Sequence, residues 1–110
     1  MKIKVVACLV LPWLCVVLAS AAQAQSTGGQ EALYVRALAA TCANCHGTDG
    51  KAVAGGSVTS LAGLDKNYFL AQMAAFKDGT RPATLMHQIS RGFNDAQIES
   101  LASYFALQNK

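Results

Sequence analysis

The chain has 110 residues, enough for one domain, and its formal net charge is +3 with 53% hydrophobic residues. Both N-terminal lysines precede residue 25, so residues 25–110 carry seven basic and six acidic side chains, a net charge of +1. This near balance, without a basic run or an aromatic platform, excludes a protein that binds nucleic acid or another polyanion.

The first 24 residues have the pattern of a secretory signal peptide. Lys2 and Lys4 form a positive n-region, residues 5–19 form an apolar run, and Ala22-Gln23-Ala24 supplies the small residues of a cleavage site. The apolar run is shorter than the ~20 residues of a membrane-spanning helix. We therefore expect cleavage after Ala24, export to the periplasm, and a mature domain of residues 25–110 with no membrane insertion.

A first helix is predicted from about Gln30 to Ala40, where alanine is abundant and apolar residues recur at helical spacing. It leads into Cys42-Ala-Asn-Cys45-His46, the motif with the most specific chemical meaning in the chain. Two cysteines three positions apart can present both sulfurs on one side of a helical turn, with His46 next to them. This arrangement suits a haem held by Cys42 and Cys45 as thioethers, with His46 bound to its iron.

Two other interpretations of the paired cysteines stay open at this point. A zinc half-site would need two more ligands, and residues 25–110 hold no third cysteine and only His87 besides His46. A thioredoxin-like dithiol usually follows a strand, and the pattern here predicts none.

Residues 47–63 contain five glycines among small and polar residues, which predicts a loop. A loop of this length in a small domain is usually functional. We expect it to wrap one edge of the haem and to offer a backbone carbonyl to the Nδ1–H of His46.

Two further helices are predicted after this loop. Asp65 is a favourable N-cap for a helix from Lys66 to Lys77. The apolar stripe of this helix comprises Tyr68, Phe69, Gln72, Met73 and Phe76. We interpret Met73 as a core residue of this stripe rather than as an iron ligand.

Asn94, with Gln97 as its capping-box partner, predicts the start of the last helix. The apolar face of that helix comprises Ile98, Leu101, Ala102 and Phe105. Residues 80–92 form a connector with a short helical piece. The predicted fold class is all-α, with three main helices and a short helical connector around one covalent haem.

Met86 and His87 compete for the far side of the iron. Adjacent residues of a helix point about 100° apart, so only one of them can face the metal. A methionine ligand raises the reduction potential, whereas a second histidine lowers it. With either ligand the iron has no open position, which favours an electron carrier over a haem enzyme or a gas sensor.

From Thr41 to Gln108 the chain resembles a small class I cytochrome c. The matching segments are residues 42–50 (CANCHGTDG), 61–63 (LAG), 68–79 (YFLAQMAAFKDG), 84–86 (TLM) and 93–105 (FNDAQIESLASYF). Their order is similar to one half of a dihaem cytochrome c4, and closest to the cytochrome subunit of flavocytochrome c sulfide dehydrogenase. In that subunit the methionine of a T-x-M-x-x-I-x-x-G segment is the distal ligand. The resemblance therefore implies that Met86 binds the iron and that His87 points away from it.

The chain departs from this pattern in two places. Members of the family commonly place a proline about a dozen residues after the haem histidine, and its carbonyl helps to hold that ring; residues 57–60 here are Ser-Val-Thr-Ser. The flavocytochrome subunit often carries two haems, whereas this chain has a single C-x-x-C-H motif.

The resemblance implies a periplasmic monohaem electron carrier rather than an enzyme. Its cofactor would be one haem c, attached at Cys42 and Cys45, with His46 as proximal and Met86 as distal iron ligand. The implied redox partner is the flavoprotein subunit of a sulfide dehydrogenase. The alternatives are a free-standing shuttle to a terminal oxidase or reductase and, more distantly, a haem gas sensor or enzyme with a displaceable ligand.

Overall fold

The computed structural model describes residues 27–110, so the expected signal peptide, residues 1–24, lies outside the described residues. Residues 34–110 form one compact unit, and residues 27–33 belong to the unit before it. All regular structure in the described residues is helical, which confirms the all-α prediction. In this part of the chain no helix combines the length and the apolar character that crossing a membrane requires.

Four α-helices are present in the described residues. Helix α1 covers residues 27–46 and is followed by a 3₁₀ turn, Thr48–Gly50. Helix α2 spans Lys66–Asp78, α3 spans Met86–Arg91 and α4 spans Asp95–Ala106. Helices α1, α2 and α4 are the three main predicted helices, and α3 is the short helical piece of the connector.

Helix α1 is longer than the sequence predicted. It continues past Ala40 to His46, so the two cysteines lie on its last turns rather than on a turn after it. The half-buried Cys42 packs against the hydrophobic core, and this tertiary contact supports helix beyond the alanine-rich segment. The helix ends at Gly47, whose left-handed φ of 80° redirects the chain.

The predicted helix caps are confirmed at α2 and α4. The Asp65 side chain accepts a 2.9 Å hydrogen bond from the Tyr68 amide. Asn94 and Gln97 form a reciprocal capping box, with hydrogen bonds of 2.9 and 3.0 Å. These bonds satisfy amides that have no partner within their own helices, and so fix where α2 and α4 begin.

The core lies where α2 packs against α4 and where α1 contributes one small residue. Its buried members are Ala39, Phe69, Met73, Ile98, Leu101, Ala102 and Phe105. The predicted apolar face of α4 is therefore confirmed. The rings of Phe69 and Phe105 lie 5.8 Å apart, centroid to centroid, and link α2 to α4. Helix α3 packs on α2 as well, so α2 contacts both α3 and α4.

Candidate cofactor site

A largely apolar cavity lies between α1, α2, α3 and the loop of residues 47–63. It encloses about 850 Å³, counting the space at its open mouth. Cys42, Cys45, His46 and Met86, which the sequence selected as site residues, all line it.

The two cysteines present their side chains to this cavity from the last turns of α1. They are not joined as a disulfide; Cys42 is half-buried and Cys45 is exposed. Burial raises the pKa of the Cys42 thiol, an effect that the hydrogen bond to Thr41 offsets only in part. Dithiol redox centres depend on a lowered thiol pKa, so this environment disfavours the thioredoxin-like interpretation.

The orientation of His46 is set by a backbone carbonyl of the loop. Nδ1 of His46 lies 2.6 Å from the carbonyl oxygen of Thr59. A carbonyl can only accept, so Nδ1 carries the proton and the lone pair is on Nε2, the nitrogen that can bind a metal. The predicted loop carbonyl is thus present, and Thr59 supplies it without a proline.

Of the two neighbouring candidates for the second iron ligand, Met86 lines the cavity and His87 does not. Met86 is the first residue of α3 and is half-buried. Met73 of α2 also lines the cavity but is only 5% exposed and belongs to the core. The structure therefore brings two thioethers to one cavity, of which the sequence assigned one to the iron and the other to packing.

Helix α2 supplies one wall of the cavity. All five residues of its predicted stripe, positions 68, 69, 72, 73 and 76, are lining residues. Gln72 accepts a hydrogen bond from the Arg81 guanidinium, which also lies 4.8 Å from the centre of the Phe76 ring. Among the described residues, Arg81 is the one cavity-lining residue with a permanently charged side chain.

Sequence reasoning did not identify Arg81 or Thr59 as site residues. Arg81 lies two positions after the glycine that ends α2, where no helical periodicity indicates which way a side chain points. Thr59 acts through its backbone carbonyl, which every residue has, so its side chain gave no signal. The sequence indicated only that some carbonyl of the loop would lie near His46, and not that Thr59 would supply it.

These groups fit a haem better than the alternatives. Two sulfurs on one helical turn can form thioethers, Nε2 of His46 can bind iron, and apolar walls suit a porphyrin plane. Zinc takes cysteine, histidine or carboxylate ligands, whereas the rest of this lining is mainly aliphatic, aromatic and thioether side chains.

Comparison with known proteins agrees with this geometry. Residues 32–107 match the cytochrome c family. The chain is 33% identical over 73 residues to the cytochrome subunit of sulfide dehydrogenase from Chlorobaculum tepidum, an alignment that covers 66% of this chain and 64% of that protein. It is 32% identical over 85 residues to a thiosulfate dehydrogenase electron acceptor from Stutzerimonas stutzeri, covering 74% of this chain and 39% of that protein.

A cytochrome c4 from Pseudomonas aeruginosa is 38% identical over 73 residues, which cover 66% of this chain and 36% of that protein. The chain spans less than two thirds of the length of each of these three relatives. The family match covers well over half of this chain and contains all four predicted site residues. The chain therefore belongs to the cytochrome c family, with covalently attached haem c as its cofactor.

Proposed function

We propose that this protein is a periplasmic monohaem cytochrome c in which Cys42 and Cys45 hold the haem and His46 and Met86 bind its iron. The observation that carries the proposal is the convergence of these four side chains on one apolar cavity. The 2.6 Å hydrogen bond from Nδ1 of His46 to Thr59 supports it further, because it leaves Nε2 available to the iron.

The haem supplies the Fe(III)/Fe(II) couple, and the chain's own residues tune and shield it. The Thr59 carbonyl raises the basicity of the His46 ring by accepting a hydrogen bond from its Nδ1–H, which makes Nε2 a stronger electron-pair donor. The Met86 thioether favours reduced iron. If His46 and Met86 both held the iron, they would leave it no site for oxygen or substrate, and the protein's task would be outer-sphere electron transfer.

Arg81 is proposed to face the carboxylates that the haem brings. A guanidinium pairs well with carboxylates, and this one is held in place by Gln72 and by the Phe76 ring. Its position on the lining of an otherwise apolar cavity supports this role.

An apolar rim at the cavity is proposed as the surface through which electrons pass. Tyr68 and Ile89 line the cavity and are still 49% and 41% exposed, and Leu85 next to Met86 is 64% exposed. Because residues 25–110 carry a net charge of only +1, docking would depend on a small apolar contact rather than on a charged ring, as suits a transient encounter.

The partner is proposed to be a flavoprotein sulfide dehydrogenase that transfers electrons singly to this cytochrome. The relative from Chlorobaculum tepidum supports this, since its name describes the cytochrome subunit of a sulfide dehydrogenase. A second candidate role is to accept electrons from a thiosulfate dehydrogenase, which the name of the Stutzerimonas stutzeri relative favours. A free-standing shuttle to a terminal oxidase or reductase is the third candidate.

Optical spectroscopy of the exported protein tests the haem assignment. The haem should stay with the chain after acid–acetone extraction, and the oxidised protein should show the weak far-red band of methionine–iron ligation. N-terminal sequencing of the periplasmic fraction should begin at Gln25. Loss of the haem on extraction would refute covalent attachment, and carbon monoxide binding by the reduced protein at neutral pH would refute six-coordination.

Stopped-flow mixing discriminates between the partners. The oxidised cytochrome is mixed with a flavoprotein sulfide dehydrogenase and sulfide, and separately with a thiosulfate dehydrogenase and thiosulfate. Rapid haem reduction in the first mixture alone supports the proposed partner, and reduction in the second alone supports the alternative. Slow reduction in both, with rapid oxidation by a terminal oxidase, would support the free-standing shuttle.

A further inference from the structure

The loop of residues 47–63 is organised around the carbonyl oxygen of Gly50. The Ser60 hydroxyl donates a 2.8 Å hydrogen bond to this oxygen, and the amides of Leu61 and Ala62 lie 2.7 and 3.1 Å from it. Three consecutive residues therefore donate to one acceptor. They directly follow Thr59, whose own carbonyl accepts the hydrogen bond from Nδ1–H of His46.

Gly50 can serve as a fixed anchor because it is itself held against the core. It is buried, its amide donates a 2.9 Å hydrogen bond to the Gly47 carbonyl, and its φ is 79°. A Cβ at this position would lie 2.8 Å from Cβ of Leu61 and 2.9 Å from the Phe105 ring. Only glycine allows the backbone to approach these side chains so closely.

The backbone at Thr59 has no other rigid constraint in its sequence. The two prolines of the chain are at positions 12 and 82, so no ring fixes φ near this carbonyl. Thr59 and Ser60 are both exposed, and packing alone does not immobilise them. The peptide plane that carries the Thr59 carbonyl includes the nitrogen and Cα of Ser60, so the orientation of Ser60 determines where that carbonyl points.

We propose that Ser60 is a positioning residue that holds the Thr59 carbonyl on Nδ1 of His46 through its bond to Gly50, and thereby lowers the reduction potential of the haem iron. The inference rests on the proposed function, in which His46 binds the iron. A well-aligned Nδ1–H···O bond makes Nε2 of the ring a stronger electron-pair donor to the iron, which stabilises Fe(III) relative to Fe(II). Loss of the Ser60 hydroxyl should make the Thr59 carbonyl more mobile and weaken its hydrogen bond to His46. The reduction potential of the haem iron should then rise.

The test uses the holoprotein with variants that differ in this hydroxyl. Ser60→Ala and Ser60→Val remove it, whereas Ser60→Thr keeps it and is isosteric with the valine variant. Ser103→Ala is the matched control, because it also removes a hydroxyl bonded to a backbone carbonyl, that of Glu99 at 3.0 Å, away from the cavity. Reduction potentials come from spectroelectrochemical titration, and the exchange lifetime of the His46 ring proton comes from NMR.

Ser60→Ala and Ser60→Val should both show a higher potential and a shorter-lived ring proton than wild type. Ser60→Thr and Ser103→Ala should match wild type in both properties. Wild-type potential and lifetime in the two variants without the hydroxyl would overturn the inference, even if their thermal stability falls. Absence of an iron-shifted His46 ring in wild type would instead overturn the proposed ligation, and the inference with it.

Discussion

Met73 and Met86 line the same cavity from different helices, but only Met73 is part of the buried core. Met73 is 5% exposed and lies between the aromatic residues of α2, whereas Met86 is half-buried at the start of α3. Two thioethers are thus within the same site, and their packing suggests different roles. A core position explains Met73 without any bond to iron.

Substitution of each methionine by leucine separates these roles. Met86→Leu should abolish the far-red methionine–iron band and allow carbon monoxide to bind, because leucine offers no ligand. Met73→Leu should keep the band and cost less than about 1.5 kcal/mol of stability, since it conserves volume. Optical spectra and guanidinium unfolding of both holoproteins measure these effects. The reverse pattern of spectra would assign the ligand to Met73.

Gly50→Ala should destabilise the holoprotein more than Gly79→Ala. Both glycines have a φ near 80°, and this left-handed conformation costs an L-residue roughly 1–2 kcal/mol. A Cβ at Gly79 meets no atom within 4 Å, whereas one at Gly50 would collide with Leu61 and Phe105. We expect a further ~1–3 kcal/mol at Gly50 from this crowding. Equal unfolding free energies for the two variants would contradict the close approach at Gly50.

Arg81→Gln should lower the reduction potential. Removal of a positive charge beside the haem favours Fe(III), which carries one more positive charge than Fe(II). Arg91→Gln is the matched control, because it removes the same charge from a side chain that does not line the cavity. Potentials of the two holoproteins at equal ionic strength provide the measurement. An equal shift in both variants would indicate a general charge effect and no specific role for Arg81.

Asn94→Ala should destabilise the protein by about 1 kcal/mol. The change removes the side chain that accepts from the Gln97 amide at the start of α4, which carries four buried core residues. Asn67→Ala provides a control within α2, at an exposed position that caps no helix. Urea or guanidinium unfolding followed by circular dichroism measures both. A neutral effect of Asn94→Ala would mean that packing alone fixes the start of α4.

Tyr104 makes stability sensitive to alkaline pH. Its hydroxyl donates a 2.6 Å hydrogen bond to Asp49, and this bond, followed by burial and the charge of Asp49, raises the pKa of Tyr104 above its ordinary value of 10.0. The folded state therefore retains this proton at a pH where the unfolded state has lost it. The stabilisation is complete below the unfolded pKa and is lost as the pH rises above it through the folded pKa.

Tyr104→Phe should therefore be less stable than wild type at neutral pH, and this difference should shrink as the pH rises above 10.0, the ordinary pKa of the tyrosine. Unfolding midpoints across that range measure the effect, and ultraviolet titration of the phenolate locates the pKa of Tyr104. Tyr68→Phe is the control, a tyrosine that is 49% exposed on α2. A constant stability difference between Tyr104→Phe and wild type at all pH values would contradict the coupling to Asp49.

The sequence by itself determined the local features of this protein. The caps at Asp65 and Asn94 and the apolar stripes of α2 and α4 were predicted correctly, since each depends on residues three or four positions apart. The C-x-x-C-H motif is local for the same reason: its chemistry lies within two turns of a helix. The predicted end of α1 at Ala40 was wrong, because the packing of Cys42 on the core extends that helix.

Only the tertiary structure decided which distant groups meet at the cavity. The Thr59 carbonyl lies thirteen residues from His46 along the chain. Arg81 reaches the lining from an irregular segment, and Met73 shares the cavity with Met86 from another helix. Sequence spacing limits contacts within one element, but it does not fix the path of a glycine-rich loop. That path depends on hydrogen bonds and close approaches, such as those around Gly50, between residues that lie far apart along the chain.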